Sequence, residues 1–243
     1  MRYHTILFDA DGTLLDFSSA QKRAFFESCL DFKIPADNAL LQHYDTINHQ
    51  QWLRLEKKEI TRADILSERF RVLFESEGIT GCDPDAFNQR YMEHLAGSGD
   101  LMAGAHAVLT ALHNMAMLAI ITNGFAKTQR RRLAKAGIAH FFSQIIISEE
   151  IGAKKPYPEF FEQALTLCGV SDTSGVLVVG DSLSADIAGG NGFGLDTCWF
   201  NPHSLPRPQM PRPTYIINRL DALPAILHAP QSFSETRPLL DET

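Results

Sequence analysis

Asp9 and Asp11 stand one residue apart, directly after the apolar, partly β-branched run Ile6-Leu7-Phe8. Such a run reads as a buried strand. Two carboxylates just past the carboxyl end of a strand are costly unless something pairs them. A hard cation such as Mg2+ does so, because it takes oxygen ligands and is usually held by one or two carboxylates. Gly12 follows and permits a backbone turn that a side chain would hinder. In an open α/β sheet the crevice beyond the strand ends is where ligands sit. The same residues also read as a strand closed by a plain Asp-Gly turn.

Three later apolar runs end in polar residues of complementary chemistry. Met117-Leu118-Ala119-Ile120-Ile121 leads into Thr122-Asn123-Gly124. A hydroxyl with exposed backbone N–H groups at a strand-to-helix turn makes a phosphate cradle, although Thr-Asn-Gly is also simply a good turn. Ile145-Ile146-Ile147 leads on to Gly152-Ala153-Lys154-Lys155-Pro156, where a lysine fixed before proline can neutralise phosphate charge; the bland reading is a solvated surface pair. Val176-Leu177-Val178-Val179 leads into Gly180-Asp181-Ser182-Leu183-Ser184-Ala185-Asp186. Asp181 sits at its strand end as Asp9 does, and its bland alternative is a helix N-cap. The joint order of carboxylates, hydroxyl, lysine and carboxylates, each after a predicted buried strand, is far more specific than any part.

The elements that must position these residues follow from periodicity. From about Ser19 to Leu95 the pattern is helical: Ala24, Phe25, Cys29 and Leu30, then Leu40, Leu41, Tyr44 and Ile47, continuing to Trp52, Leu53 and Leu55. A third helix starts at Thr61, with Asp64 three residues on, close to a capping box. Its apolar face is Ile65, Leu66, Phe70, Leu73 and Phe74, and it ends near Gly78. A fourth runs from about Asp85 to Leu95, and the whole block reads as a small helical bundle. Gly97-Ser98-Gly99 is a plausible hinge. A helix over Ala103–Met115 precedes the second strand, and helices are expected over 126–136, 159–167 and near 185–189, with further strands at Thr197-Cys198-Trp199-Phe200 and Tyr215-Ile216-Ile217. Continuous apolar strands alternating with helices argue an α/β fold whose parallel sheet is covered on both faces. The boundaries expected are residues 1–17 and 97–228 for the α/β core, 18–96 for the helical insert and 229–243 for a flexible tail. Eight of the twelve prolines lie from Pro202 onward, so 202–213 is read as a loop.

Composition bounds the rest. With 243 residues, 44% of them hydrophobic and 21% charged, the chain can build a proper core. A net charge of -7 argues against polymeric nucleic acid as a partner. No secretory signal and no apolar run of membrane-spanning length is apparent, so a cytoplasmic protein without a membrane partner is expected. The four cysteines are scattered, which favours idle thiols in a reducing compartment over disulfides or zinc. Arg130-Arg131-Arg132 is read as a solvated helix face.

Taken together, the four strand-end motifs resemble the signature of the haloacid dehalogenase (HAD) superfamily of phosphohydrolases over about Tyr3 to Leu227, and the helical insert has the position of that superfamily's C1 cap on a Rossmann-like core. The resemblance implies roles. Asp9 is the nucleophile that forms an aspartyl-phosphate, and Asp11 is general acid and then base. Thr122 and the backbone N–H groups of Asn123 and Gly124 bind the phosphoryl oxygens. Lys155, which directly precedes the proline, neutralises charge. Mg2+ is held by the carboxylates of Asp9 and Asp181 and the main-chain carbonyl of Asp11, and Asp186 supports those ligands or waters from outside. An aspartate at position 11 favours phosphate-ester hydrolysis over dehalogenation, which has no alcohol leaving group to protonate.

A narrower resemblance, to the bacterial pyrimidine 5'-nucleotidases of the superfamily, rests on Gln51-Trp52-Leu53, Glu59-Ile60-Thr61-Arg62, Arg69-Phe70, Ile120-Ile121-Thr122-Asn123-Gly124-Phe125, Ile147-Ser148-Glu149-Glu150-Ile151-Gly152 and Thr197-Cys198-Trp199-Phe200-Asn201. It implies a nucleoside monophosphate as the small-molecule partner. Gly12 departs from it, since some members carry glutamate there. Phe17, Trp52 and Phe125 are candidates to stack on a pyrimidine, with ordinary core packing as the alternative. Sugar-phosphate or phosphoglycolate phosphatase, a phosphotransferase acting between sugars, and a binding protein on the same fold are the competing readings, and a monomer and a dimer are both open.

Overall fold

The computed structural model describes residues 2–227; the tail expected over 229–243 lies outside them. In chain order the elements are β1 (Thr5–Phe8), α1 (Phe17–Asp31), α2 (Asn38–Glu56), α3 (Arg62–Glu77), α4 (Pro84–Ala96), α5 (Ala105–Leu112), β2 (Met117–Thr122), α6 (Ala126–Lys135), β3 (Gln144–Ile147), α7 (Ser148–Ile151), α8 (Pro158–Leu167), β4 (Val176–Gly180), α9 (Ala188–Gly192), β5 (Asp196–Phe200), β6 (Tyr215–Ile217) and α10 (Leu223–Leu227). They form two compact units: one runs up to Asp16 and resumes at Gly99, and the other is Phe17–Ser98.

The first unit is built on a six-stranded sheet of order β3-β2-β1-β4-β5-β6 in which every pairing is parallel. Successive side chains of a strand point to opposite faces, and here both faces are apolar. Ile6 and Phe8 share one face with Leu118, Ile120, Leu177 and Val179, packed against Val108, Leu109 and Leu112 of α5 and Leu133 of α6. Leu7 shares the other with Ala119, Ile121, Val176 and Val178, packed against Phe160, Phe161, Ala164 and Leu165 of α8. Burial on both sides explains why these strands read as unbroken apolar runs rather than alternating ones. The segment between β5 and β6 carries no helix or strand, as its prolines demand. α5 is shorter than its pattern suggested, because Gly104 precedes it at φ +82°, a left-handed conformation that cannot continue a helix backwards.

The second unit is helical. Phe25, Tyr44, Phe70, Leu73, Phe87 and Tyr91 form its core, with the Tyr44 and Phe70 rings stacked at 4.8 Å. Arg69 is buried among them; its guanidinium donates to Asn88 Oδ1 from Nε (2.9 Å) and from one terminal nitrogen (2.7 Å), and lies 4.8 Å from the Tyr91 ring centroid. Leu30, expected on the buried face of α1, is instead 77% exposed. The buried stripe of that helix runs through Ala20, Ala24, Phe25, Ser28 and Cys29, and one residue further on the helix has turned by about 100° away from it. Phe17 belongs to this unit because it packs against its core, and the Gly97 and Ser98 N–H groups bond back onto the last turn of α4. No described helix is long and apolar enough to cross a membrane.

The capping box at the start of α3 is complete: Asp64 N–H donates to Thr61 Oγ1 (3.3 Å) and Thr61 N–H donates to Asp64 Oδ2 (2.7 Å), while Gly78 closes the helix at φ +65°. Thr61→Ala should therefore lower the stability of the helical unit by about 1 kcal/mol, with Thr61→Ser close to wild type. Urea unfolding followed by circular dichroism checks this; equal midpoints for all three proteins would contradict it.

Candidate active site

β1 lies between β2 and β4, and the strand order reverses direction around it, the place where open α/β sheets gather ligands. The carboxyl ends of these neighbouring strands present Asp9, Thr122 and Asp181. Asp9 N–H donates to Val179 O (2.8 Å), which extends the β1–β4 ladder by one residue and fixes where the Asp9 side chain leaves the backbone.

Lys155 connects the cluster. It is 2% exposed, which excludes the surface-pair reading, and its ammonium donates to Asp9 Oδ1 (2.6 Å), Asp186 Oδ1 (2.6 Å) and Ile121 O (2.9 Å). All three ammonium donors are thus used. The Lys155 backbone is held in turn by the Asn123 side chain, which donates to Lys155 O (2.9 Å) and accepts from Lys155 N–H (3.0 Å). Asn123 thereby ties the segment after β3 to the end of β2.

Asp186 arrives by an irregular route. The helix expected near 185–189 begins as a π-helical turn over Leu183–Ile187 and only then becomes α9. Both Asp186 N–H (3.0 Å) and Ile187 N–H (3.1 Å) donate to Ser182 O, so the turn is wider than an α-turn. Asp186, fully buried, then accepts from Ser182 N–H at 3.1 Å. Ser182, not Asp181, is the capping residue, its hydroxyl accepting from Ala185 N–H (3.1 Å). Asp181 is left for the cluster: Thr13 Oγ1 donates to its Oδ1 (3.3 Å), and Trp199 Nε1 donates to its main-chain carbonyl (2.9 Å). Two glycines make room. A Cβ on Gly180 would lie 2.2 Å from Asp186 Oδ2, and one on Gly12, which sits at φ +81°, would lie 2.4 Å from Asp181 Oδ2.

Asp9, Asp181 and Asp186 each offer a carboxylate oxygen within 4.8 Å of the others. Three carboxylates and one ammonium leave two formal negative charges in a buried space. Burial, reinforced by Asp186 and Asp181, raises the Asp9 pKa well above the usual carboxylate range despite Lys155. Asp181 is pushed up to about 7, by burial first and then by Asp186. Burial alone would lower the Lys155 pKa, but Asp186 and Asp9 outweigh it and hold the ammonium charged. An all-oxygen donor set with two surplus negative charges suits a hard divalent cation such as Mg2+.

Asp11 points elsewhere. Its Oδ2 accepts from Gln129 Nε2 (2.6 Å), and its Oδ1 is ion-paired with the guanidinium of Arg132. Its carboxylate is therefore turned away from the Asp9–Asp181–Asp186 group. Gln129 Nε2 also donates to Thr122 Oγ1 (2.8 Å), and that hydroxyl accepts from Gly124 N–H (3.1 Å). The Gly124 N–H, expected to be exposed for a phosphate, is thus turned onto Thr122.

The arginine run is the clear correction to the sequence reading. Arg131 is exposed, but Arg130 is paired with Glu150 at 2.7 and 2.6 Å, and Arg132 is completely buried against Asp11. Gln129 and Arg132 were not singled out from sequence. The signal was there: Gln129, Arg132 and Leu133 fall at i, i+3 and i+4, one helix face, and Leu133 marks that face as buried. Among the aromatics considered for stacking, Phe17 packs on the helical core and Phe125 occupies the N-terminus of α6.

A family model described as "haloacid dehalogenase-like hydrolase" matches residues 3–194. The chain belongs to that family. It is 36% identical to the putative HAD-hydrolase YfnB of Bacillus subtilis, over 96% of this chain and 99% of that one. A crystal structure of YfnB bound to magnesium superposes with a TM-score of 0.88, at 37% identity, covering 94% of this chain and 100% of that one. The pyrimidine 5'-nucleotidase PynA of Streptococcus pneumoniae is 37% identical, over 88% of this chain and 91% of its own. The pyrimidine 5'-nucleotidase YjjG of Escherichia coli is 34% identical, over 93% and 99%.

The raised Asp181 pKa fixes the sign of a stability measurement. The folded protein keeps a proton on this carboxyl that the unfolded chain has already lost, so in EDTA its stability should fall as pH climbs from about 4 to about 7. A bound cation replaces that proton, so millimolar Mg2+ should raise the melting temperature more near about pH 8 than near about pH 5. A Mg2+-induced shift that is the same at both ends, or absent, would contradict the assignment of this cluster as a cation site.

Proposed function

We propose that the protein is a Mg2+-dependent phosphomonoesterase that removes phosphate from pyrimidine nucleoside 5'-monophosphates through an aspartyl-phosphate on Asp9. The observation that carries the chemistry is the Asp9–Lys155–Asp186 contact beside Asp181, a buried nucleophile held by an ammonium within a set of oxygen ligands. The two nucleotidase relatives, each matched over more than nine-tenths of its own length, support the substrate class. Magnesium in the YfnB crystal structure supports the cation. Four free thiols fit a reducing, cytoplasmic setting.

In this reading Asp9 and Asp181, with the main-chain carbonyl of Asp11, hold the cation, and Asp186 orients the cluster through Lys155. Bound there, the cation withdraws charge from the phosphoryl oxygens and removes their repulsion of the nucleophile. An Asp9 carboxylate oxygen attacks phosphorus, the ester P–O bond breaks, and Asp11 gives its proton to the departing 5'-oxygen of the nucleoside. Water then attacks the phosphorus of the aspartyl-phosphate and returns a proton to Asp11. The Asp9–phosphorus bond breaks and inorganic phosphate leaves. Thr122 and the Asn123 N–H at the end of β2 bind the transferring group, Gly124 serving by holding the Thr122 hydroxyl, and Lys155 stabilises the charge that builds on it.

The test is phosphate release from pyrimidine and purine monophosphates, phosphoglycolate and hexose phosphates, with Mg2+ and with EDTA. Turnover should require Mg2+, favour pyrimidine monophosphates and vanish in Asp9→Asn. Lys155→Met should lower kcat by about 10^3-fold or more, since each factor of ten is about 1.4 kcal/mol of transition-state stabilisation. A clear preference for phosphoglycolate or hexose phosphates would overturn the substrate class. Undiminished turnover in Asp9→Asn would overturn the mechanism.

A further inference from the structure

α6 begins four residues after β2 ends, so its first turns lie beside the strand end that carries Thr122. Two of its side chains, Gln129 and Arg132, face inward and are buried, at 1% and 0% exposure. Arg132 is ion-paired with Asp11 Oδ1, and Gln129 Nε2 lies 2.6 Å from Asp11 Oδ2. Both carboxylate oxygens are therefore engaged from one helix face, one by a guanidinium and one by an amide. Gln129 is itself fixed, because the same nitrogen donates to Thr122 Oγ1. It is also crowded: a Cβ on Gly124 would lie 2.4 Å from Gln129 Nε2.

We propose that Arg132 and Gln129 form a two-point clamp that sets the orientation of Asp11, so that its carboxylate meets the leaving oxygen and later the attacking water. The clamp rests on the assignment of Asp11 as acid and base above. Arg132 and Gln129 are positioning residues, acting through Asp11. The geometry is suited to that task. A carboxylate on a one-carbon side chain swings about two bonds, and one contact fixes a single oxygen, whereas two contacts on different oxygens fix the plane of the group. Each oxygen retains a second lone pair, so the clamp does not block exchange with substrate. Gln129 adds a tie between this carboxylate and the Thr122 hydroxyl, so the acid and the phosphoryl-binding strand end share one reference point. A burial of this completeness is unusual for arginine without a specific partner, and general solubility of α6 would not require it.

Asp11→Asn, Arg132→Met, Arg132→Lys, Gln129→Met and the double variant Asp11→Asn/Arg132→Met should be compared in full-length protein with Mg2+. Two substrates separate the steps: UMP, whose leaving alkoxide needs a proton, and p-nitrophenyl phosphate, whose leaving group hardly does. Losses through the clamp cannot exceed the acid–base contribution itself, typically about 10^2 to 10^4-fold. On UMP, Arg132→Met should lose about 10 to 100-fold in kcat with KM changed less than about threefold, Gln129→Met somewhat less, and Arg132→Lys should recover part of the loss. With p-nitrophenyl phosphate, Arg132→Met should release a rapid burst of nitrophenolate, about one per site, before slow turnover, because only the water step still needs the oriented carboxylate. The decisive comparison is the double variant, which should be no slower than Asp11→Asn alone, since an effect transmitted through Asp11 disappears when Asp11 is lost. Melting curves of the same samples establish that each is folded. Additive losses in the double variant, or a folded Arg132→Met with wild-type kcat on UMP, would overturn the clamp. Wild-type activity in Asp11→Asn would instead overturn the acid–base assignment on which it rests.

Discussion

A single buried ammonium decides whether this sheet can carry its acidic edge. Lys155 touches Asp9 after β1, Asp186 after β4 and the end of β2 through Ile121 O, and so ties three neighbouring strand ends together. Without it, Asp9, Asp181 and Asp186 would face one another across a few ångströms of low-dielectric space, where like charges repel several-fold more than in water. The elevated pKa values of Asp9 and Asp181 show that even with it the balance is incomplete. The fold supports a cluster that is electrostatically unfavourable by itself, as is expected where stability has been given up for chemistry.

The backbone is shaped to the same end. Gly12 and Gly180 sit where any side chain would strike Asp181 or Asp186, so the carboxylates occupy volume the main chain vacates. The π-helical turn after β4 is a second device of this kind. By widening one turn it points Asp186 back at Lys155, and single-turn π distortions are frequent at functional sites. Asn123 holds the lysine from its backbone side, so the ammonium is aimed by packing and hydrogen bonds on every flank.

Much of this was legible before any coordinates. The strands announced themselves as apolar runs because both sheet faces are covered, and Asp9, Thr122 and Asp181 lie where those runs end, whereas Lys155 and Asp186 come later, beyond a helix and within a helical turn. Thr61, Asp64 and Gly78 named the limits of α3 because capping is local chemistry written in adjacent residues. Local chemistry could not reveal what depends on distant partners. Arg132 looks like its two neighbours in sequence, and only the approach of the β1 loop distinguishes it. Gly104 shortened α5 and the Ser182 carbonyl widened the turn before α9, both backbone events without a side-chain signature. Leu30 satisfied a helical spacing by type yet lay just outside the buried stripe, which the spacing alone defines too broadly.

The position of β1 in the sheet has a consequence for how the chain comes to be assembled. β1 is made first, yet its neighbours β2 and β4 follow more than a hundred residues later, after the entire helical unit. A central strand with two such distant partners gains nothing until both loops close, and non-local parallel pairing is slow to form. During synthesis Asp9 and Asp11 therefore leave the ribosome into water, where each carboxylate is fully hydrated. They are desolvated only when the last of their companions has emerged. Asp9 is thus the first member of the acidic cluster to be made and among the last to be buried, so the cluster cannot form in a nascent chain that stops short of Asp186.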